Sequence, residues 1–128
     1  MTDCQNNGTA KGTALHQWHY LGVSSQKWDF ANQGNGQYKI TGVPSGRVMD
    51  VSGVSTADGA QIDLWDWLNA NNQKWTVTPT DDGSFKLTAV HSGKVADVTS
   101  GSTADGALIH QWGYSNADNQ QWWLRITP

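Results

Sequence analysis

The segment YKITGV, Tyr38 to Val43, alternates apolar and polar residues in the manner of a strand with one buried face, and Pro44-Ser45-Gly46 closes it with turn formers. The same period of two returns in RVMDVSG, which ends at Gly53. It returns again in AQIDLWDW, Ala60 to Trp67, after a loop holding Ala57-Asp58-Gly59. A fourth short run, Gln73 to Val77, completes a unit of four expected strands. That unit recurs. ADGAQIDLWDWLNANNQKW, starting at Ala57, comes back 47 residues later as ADGALIHQWGYSNADNQQW from Ala104, and a looser copy starts 47 residues earlier at Ala10. Equal spacing without gaps marks an array of three, so each position is read three times.

Side chains alternate across a strand, so the third strand of each unit has two distinct faces. One face carries Leu15, Ile62 and Ile109 and belongs to a core. The other carries His16, Asp63 and His110, then Trp18, Trp65 and Trp112, then Tyr20, Trp67 and Tyr114. Polar groups beside rings make a poor core and a good platform for a polar ligand with an apolar side. Asp3, Asp50 and Asp97 repeat at the same spacing, as do Gln26, Gln73 and Gln120. A merely solvated position has no reason to repeat a carboxylate, although a turn-forming aspartate is the competing explanation. Trp28, Trp75 and Trp122 follow two residues after each glutamine and have apolar neighbours such as Val77 and Leu124, which predicts rings in the core.

Composition narrows the function without changing the fold. All eleven acidic residues are aspartate, glycine is abundant at 14 of 128 residues, and strong helix formers are few, so an all-β chain of short strands and many turns is expected. The single cysteine, Cys4, occupies the position of Val51 and Val98 and reads as a buried apolar residue. A net charge of −3 with eight Lys and Arg argues against nucleic acid. The chain lacks the run of about 18 apolar residues that a membrane-spanning helix requires. His16, His19, His91 and His110 show no metal-ligand spacing, no cofactor motif is present, and no Ser or Cys has a nucleophile signature. A glycoside hydrolase needs two carboxylates with opposed roles across one bond, whereas these come in threefold sets that suit equivalent binding sites.

Three Gln-x-Trp motifs at equal spacing, each preceded by an aspartate and a tryptophan fifteen residues after it, make the chain resemble the ricin-type β-trefoil lectins and family 13 carbohydrate-binding modules. The resemblance covers nearly all of residues 1–128 as a single domain, with repeats at 1–28, 29–75 and 76–122 and a strand end at 123–128. It implies a β-trefoil, a six-strand barrel capped by three hairpins, with one shallow sugar site per repeat. Carried across by position, the second site comprises Asp50, Asp63, Trp65, Asn72 and Gln73. The third comprises Asp97, His110, Trp112, Asn119 and Gln120. In the family the glutamines mainly brace the aspartate and Trp65 and Trp112 stack on the sugar, while Tyr20, Trp67 and Tyr114 remain open as alternative stacking rings. The first copy has Ser25 where the others have Asn72 and Asn119, and Lys11 where they have Asp58 and Asp105. Its site, Asp3, His16, Trp18 and Gln26, is therefore expected to be the weakest.

The counterpart of Tyr38 to Arg47 in the first repeat falls before residue 1, so one barrel strand is expected to be missing. That implies either a longer parent chain, an enzyme or toxin, or a second copy covering the open edge. The resemblance further implies a secreted, non-catalytic protein that binds glycans of galactose or N-acetylgalactosamine type. Xylan or another plant polysaccharide is the alternative ligand, and a trefoil protease inhibitor or signalling protein is the alternative class.

Overall fold

The computed structural model describes residues 1–124, so the end of the expected strand at 123–128 lies outside the described residues. Among the described residues there are ten strands: β1 (Thr2–Cys4), β2 (Leu15–Gln17), β3 (Trp28–Gly34), β4 (Gln37–Gly42), β5 (Val48–Val51), β6 (Ile62–Trp65), β7 (Trp75–Pro79), β8 (Phe85–Ala89), β9 (Val95–Val98) and β10 (Ile109–Trp112). Among the described residues the only helical elements are six three-residue 3-10 turns, two per repeat. The hairpins β1–β2, β5–β6 and β9–β10 are equivalent, and each pairs an aspartate with the residue below the tryptophan: Asp3 with His16, Asp50 with Asp63, Asp97 with His110. Strands β3, β4, β7 and β8 form the barrel wall. Tyr38 on β4 pairs with Trp75, and Phe85 on β8 makes the equivalent bridge to Trp122.

In the first repeat no described strand corresponds to β4 or β8, and β1–β2 forms a two-stranded sheet of its own. The hairpins nevertheless close a ring around the threefold axis. Ala14 bridges to Asp63, Gln61 to His110 and Leu108 to His16, each repeat reaching the next. Two glutamines on the inner ends of the hairpins reinforce this closure. Gln111 is fully buried, donates from Nε2 to the carbonyls of Ser55 (2.7 Å) and Ala57 (2.8 Å), and accepts from Ser92 Oγ at 3.0 Å. Gln17 makes the same latch to Ser102 (2.7 Å) and Ala104 (2.9 Å). These side-chain donors tie loop carbonyls of one repeat to the hairpin of the next, each hydrogen bond contributing about 0.5–1.5 kcal/mol net.

The core follows the periodicity. Leu15, Ile62 and Ile109 are buried, and Cys4 sits with Val51 and Val98 as expected. Burial, with the Asp3 charge beside it, pushes the Cys4 thiol up to about 12. Trp75 is completely buried, but Trp28 and Trp122 are only partly buried against the core. All three indoles donate to the carbonyl of an equivalent residue, Thr2, Met49 and Ala96.

Three strand ends differ from the pattern. The expected strand to Gly53 stops at Val51, because Gly53 and Val54 turn through left-handed backbone, φ 64° and 56°. The third strand of each unit ends at Gln17, Trp65 or Trp112, and the fourth begins at Trp75 after a 3-10 turn that holds Gln73. Alternation therefore does not carry Tyr20, Trp67 and Tyr114 onto the face that holds Trp65 and Trp112.

Candidate functional site

The third repeat holds a cleft of about 350 Å³ lined by Asp97, Ser100, Gly101, His110, Trp112, Ser115, Asn119 and Gln120. Strand β9 places Asp97 at its floor, 4% exposed, and β10 lays His110 directly opposite. His110 Nε2 lies 2.8 Å from Asp97 Oδ1, and Gln120 Nε2 donates to Asp97 Oδ2 at 2.8 Å. The 3-10 turn Asp118–Gln120 fixes that glutamine. Its Nε2 also donates to the Gly113 carbonyl (2.9 Å), and its Oε1 accepts from the Ser115 backbone N–H at 2.8 Å. Both aspartate oxygens thus have one oriented donor and keep lone-pair capacity for hydroxyls. Above them the Trp112 ring stacks on His110, centroids 5.4 Å apart, and leaves 43% of its residue surface exposed. Asn119, which also lines the cleft, donates from Nδ2 to the Val98 carbonyl at 2.9 Å.

The second repeat repeats the geometry with a different partner. Asp50 Oδ2 accepts from Gln73 Nε2 at 2.9 Å and from Asn72 Nδ2 at 3.2 Å. Opposite it stands Asp63, another carboxyl, where the other repeats have histidine. Both are about 95% buried. Burial raises Asp50 above the ordinary carboxylate range. Burial first, and then the Asp50 charge and hydrogen bond, push Asp63 up to about 7. In the first repeat the contacts are looser. His16 Nε2 lies 3.7 Å from Asp3 Oδ2, Gln26 Nε2 reaches it at 3.5 Å, and Ser25 Oγ turns away to Asn7.

The structure thus gathers every expected residue of the third site around one cleft and separates the alternative rings from it. Tyr114 lines a different, smaller hollow of about 190 Å³ with Lys86 and Asn116, and the Lys86 ammonium sits 4.3 Å over its ring. Lys39 covers Trp67 in the same way at 5.1 Å. Tyr20 is exposed beyond the end of β2.

Lys11 does not act on the first site. It reaches the neighbouring hairpin, with its ammonium 3.0 Å from Asp66 Oδ2 and 5.4 Å from the Trp65 ring centroid. Asp58 and Asp105, its counterparts, accept from the Gly113 and His19 backbone N–H groups at the matching place. The substitution at Lys11 is therefore matched by an acid at position 66, and the contact survives as an ion pair.

The cleft also takes in Ser100, Gly101 and Ser115, which the Gln-x-Trp pattern does not mark. A signal for the first two exists in retrospect. Asn6-Asn7, Gly53-Val54 and Ser100-Gly101 occupy equivalent places, and all six residues have φ between 55° and 64°. This left-handed pair turns the chain away from the hairpin and opens the cleft rim.

Fold and cleft together define the class, a carbohydrate-binding β-trefoil domain of lectin type. The chain belongs to the ricin-type beta-trefoil lectin domain-like family, which it matches over residues 1–65 and 71–128. Among solved structures, it superposes on a designed 3-fold symmetric protein, ThreeFoil, with TM-score 0.93 and 40% identity, over 94% of this chain and 86% of that one. An exo-beta-1,3-galactanase from Clostridium thermocellum matches with TM-score 0.92 and 35% identity. That match covers 94% of this chain and 26% of the galactanase, so the chain spans about a quarter of that enzyme's length. The agglutinin of Rhizoctonia solani shares the fold at 21% identity and TM-score 0.84, over 94% of this chain and 82% of that one. No curated protein sequence matches the chain.

Proposed function

We propose that this domain is a non-catalytic, multivalent glycan binder acting outside the cell, with galactose or N-acetylgalactosamine as its preferred terminal sugar and the third repeat as its best-formed site. The observation that carries the reading is the Asp97 carboxylate, held by His110 and Gln120 beneath the exposed Trp112 ring. Two oriented carboxylate oxygens accept from two adjacent hydroxyls, and the indole covers the C–H face that an axial hydroxyl leaves apolar on a galactose ring. Similarity to part of a galactanase supports the galactosyl preference and a role as an appended targeting module. Shallow sites of this size hold a monosaccharide at about millimolar strength, near −4 kcal/mol, and gain on polymers by engaging two repeats at once.

The test is a glycan panel containing galactosides, N-acetylgalactosaminides, xylo-oligosaccharides and glucosides, probed with the intact domain and with Asp97→Ala. Retention on galactosides that Asp97→Ala weakens fits the proposal. Retention on xylo-oligosaccharides alone transfers it to a plant-polysaccharide module. A protein that binds nothing on the panel belongs with trefoils of the inhibitor or signalling kind.

A further inference from the structure

The second repeat departs from the other two at one buried position. Asp63 faces Asp50 across the β5–β6 ladder, where His16 faces Asp3 and His110 faces Asp97. Two carboxyls paired across one ladder, each about 95% buried, repel when both are ionised and are poorly solvated, which favours a proton on one of them. The surroundings say which carboxyl carries it. Asp50 Oδ2 already takes two amide donors, Gln73 Nε2 and Asn72 Nδ2, which favour its ionised form. Asp63 receives no side-chain donor, and its Oδ1 is buried with no hydrogen-bond partner. Among the described residues no cation pairs with it either. Lys11 and Arg47 are both engaged with Asp66, just beyond the end of β6, and His91, in the β8–β9 turn, is hydrogen-bonded to the Ser55 carbonyl.

We propose that Asp63 is a positioning residue of the second site that works as a neutral carboxylic acid, donating its proton to Asp50 as His110 donates its Nε2–H to Asp97. The inference rests on reading the repeats as sugar sites. An imidazole presents an N–H to its partner in both of its protonation states, provided the tautomer fits, whereas a carboxyl presents one only while it is protonated. The second site is therefore proton-gated and the third is not. Once Asp63 ionises, Asp50 loses the Asp63 O–H, keeps only its two amide donors and faces a second buried charge, so the carboxylate that should hold two sugar hydroxyls leaves its place. The occupied state declines about tenfold per pH unit above the titration of the pair. A domain built this way has two working sites in mildly acidic surroundings and one in alkaline surroundings.

The experiment combines two readouts on the intact chain. Carboxyl carbon NMR between about pH 5 and pH 9 follows Asp63 and Asp50 directly, and a galactose titration at each end of that range follows the Trp65 and Trp112 indole signals. The expected result is a coupled Asp63 titration near neutrality, a Trp65 response that weakens by more than tenfold at the alkaline end, and an unchanged Trp112 response. Asp63→Asn, which keeps a donor and cannot ionise, should hold the Trp65 response level across the range. If both carboxyls are already ionised at the acidic end, the proposal is overturned whatever the sugar does. If they titrate as expected while neither ring responds to any sugar, the sugar-site reading fails and the role in binding fails with it. A Trp65 response that is independent of pH in the wild-type chain overturns the gating alone.

Discussion

Replacing Trp75, Trp28 and Trp122 by alanine one at a time tests the packing account with an internal control, because the three rings are equivalent by position and unequal in burial. Trp75 is fully buried, and its indole N–H donates to the Met49 carbonyl at 3.2 Å. Removing a ring that buries about 200 Å² leaves a cavity and costs about 3–5 kcal/mol. The Met49 carbonyl left behind adds about 1 kcal/mol. Trp28 and Trp122 make the same hydrogen bond but are only partly buried, so each should cost less, in proportion to the apolar area it leaves exposed. Urea unfolding followed by circular dichroism, with a common m-value, measures the differences. Trp75→Ala should be the worst of the three. If that variant does not fold, Trp75→Phe, compared with Trp28→Phe and Trp122→Phe, should rank the same way at lower cost. Equal losses at all three positions, or the smallest loss at Trp75, would refute the reasoning.

Val54 is a β-branched, exposed residue held at φ 56°, so Val54→Gly should stabilise the domain by about 0.5–1 kcal/mol after the glycine's entropy cost; a lower melting temperature contradicts this. Gln111→Leu, which copies Leu64 at the equivalent position, should cost about 1 kcal/mol in denaturant titration, since the Ser55 and Ala57 carbonyls lose their donor. Stability should also depend on pH through Asp63, whose folded value near 7 lies above its unfolded one, so the folded chain keeps a proton that the unfolded chain releases. That contribution is full below the unfolded value and fades as pH rises toward 7, at no more than about 1.4 kcal/mol per unit. Asp63→Asn should flatten this decline in a series of thermal melts, and superimposable profiles would refute the assignment.

The fold was legible because a spacing of 47 places each aspartate, glutamine and tryptophan in the same element three times over, and one strong unit carries a weak one. What escaped were contacts between repeats. Lys11 looked like a defect of the first site because alignment compares it with Asp58 and Asp105, whereas its physical partner is Asp66 in the next hairpin. Gln17 and Gln111 fall on the core face and read as ordinary strand residues, because a loop from the preceding repeat supplies the carbonyls they bind. Tyr20, Trp67 and Tyr114 were placed by extending a period of two past the strand ends, where the backbone no longer alternates. The pairing of Asp50 with Asp63 could be anticipated from a hairpin alone, but its proton could not, since that depends on burial and on the missing donor at Asp63.

The central claim, that the cleft over Asp97 is the place where a sugar sits, is tested most directly by the indole N–H signals of the eight tryptophans during a titration with a galactoside. The account predicts that Trp112 shifts, that Trp75, buried in the core, stays still, and that Asp97→Ala abolishes the Trp112 shift while the Trp75 signal keeps its folded position. A galactoside that shifts another ring and leaves Trp112 unmoved, or a Trp112 shift that survives Asp97→Ala, would contradict it.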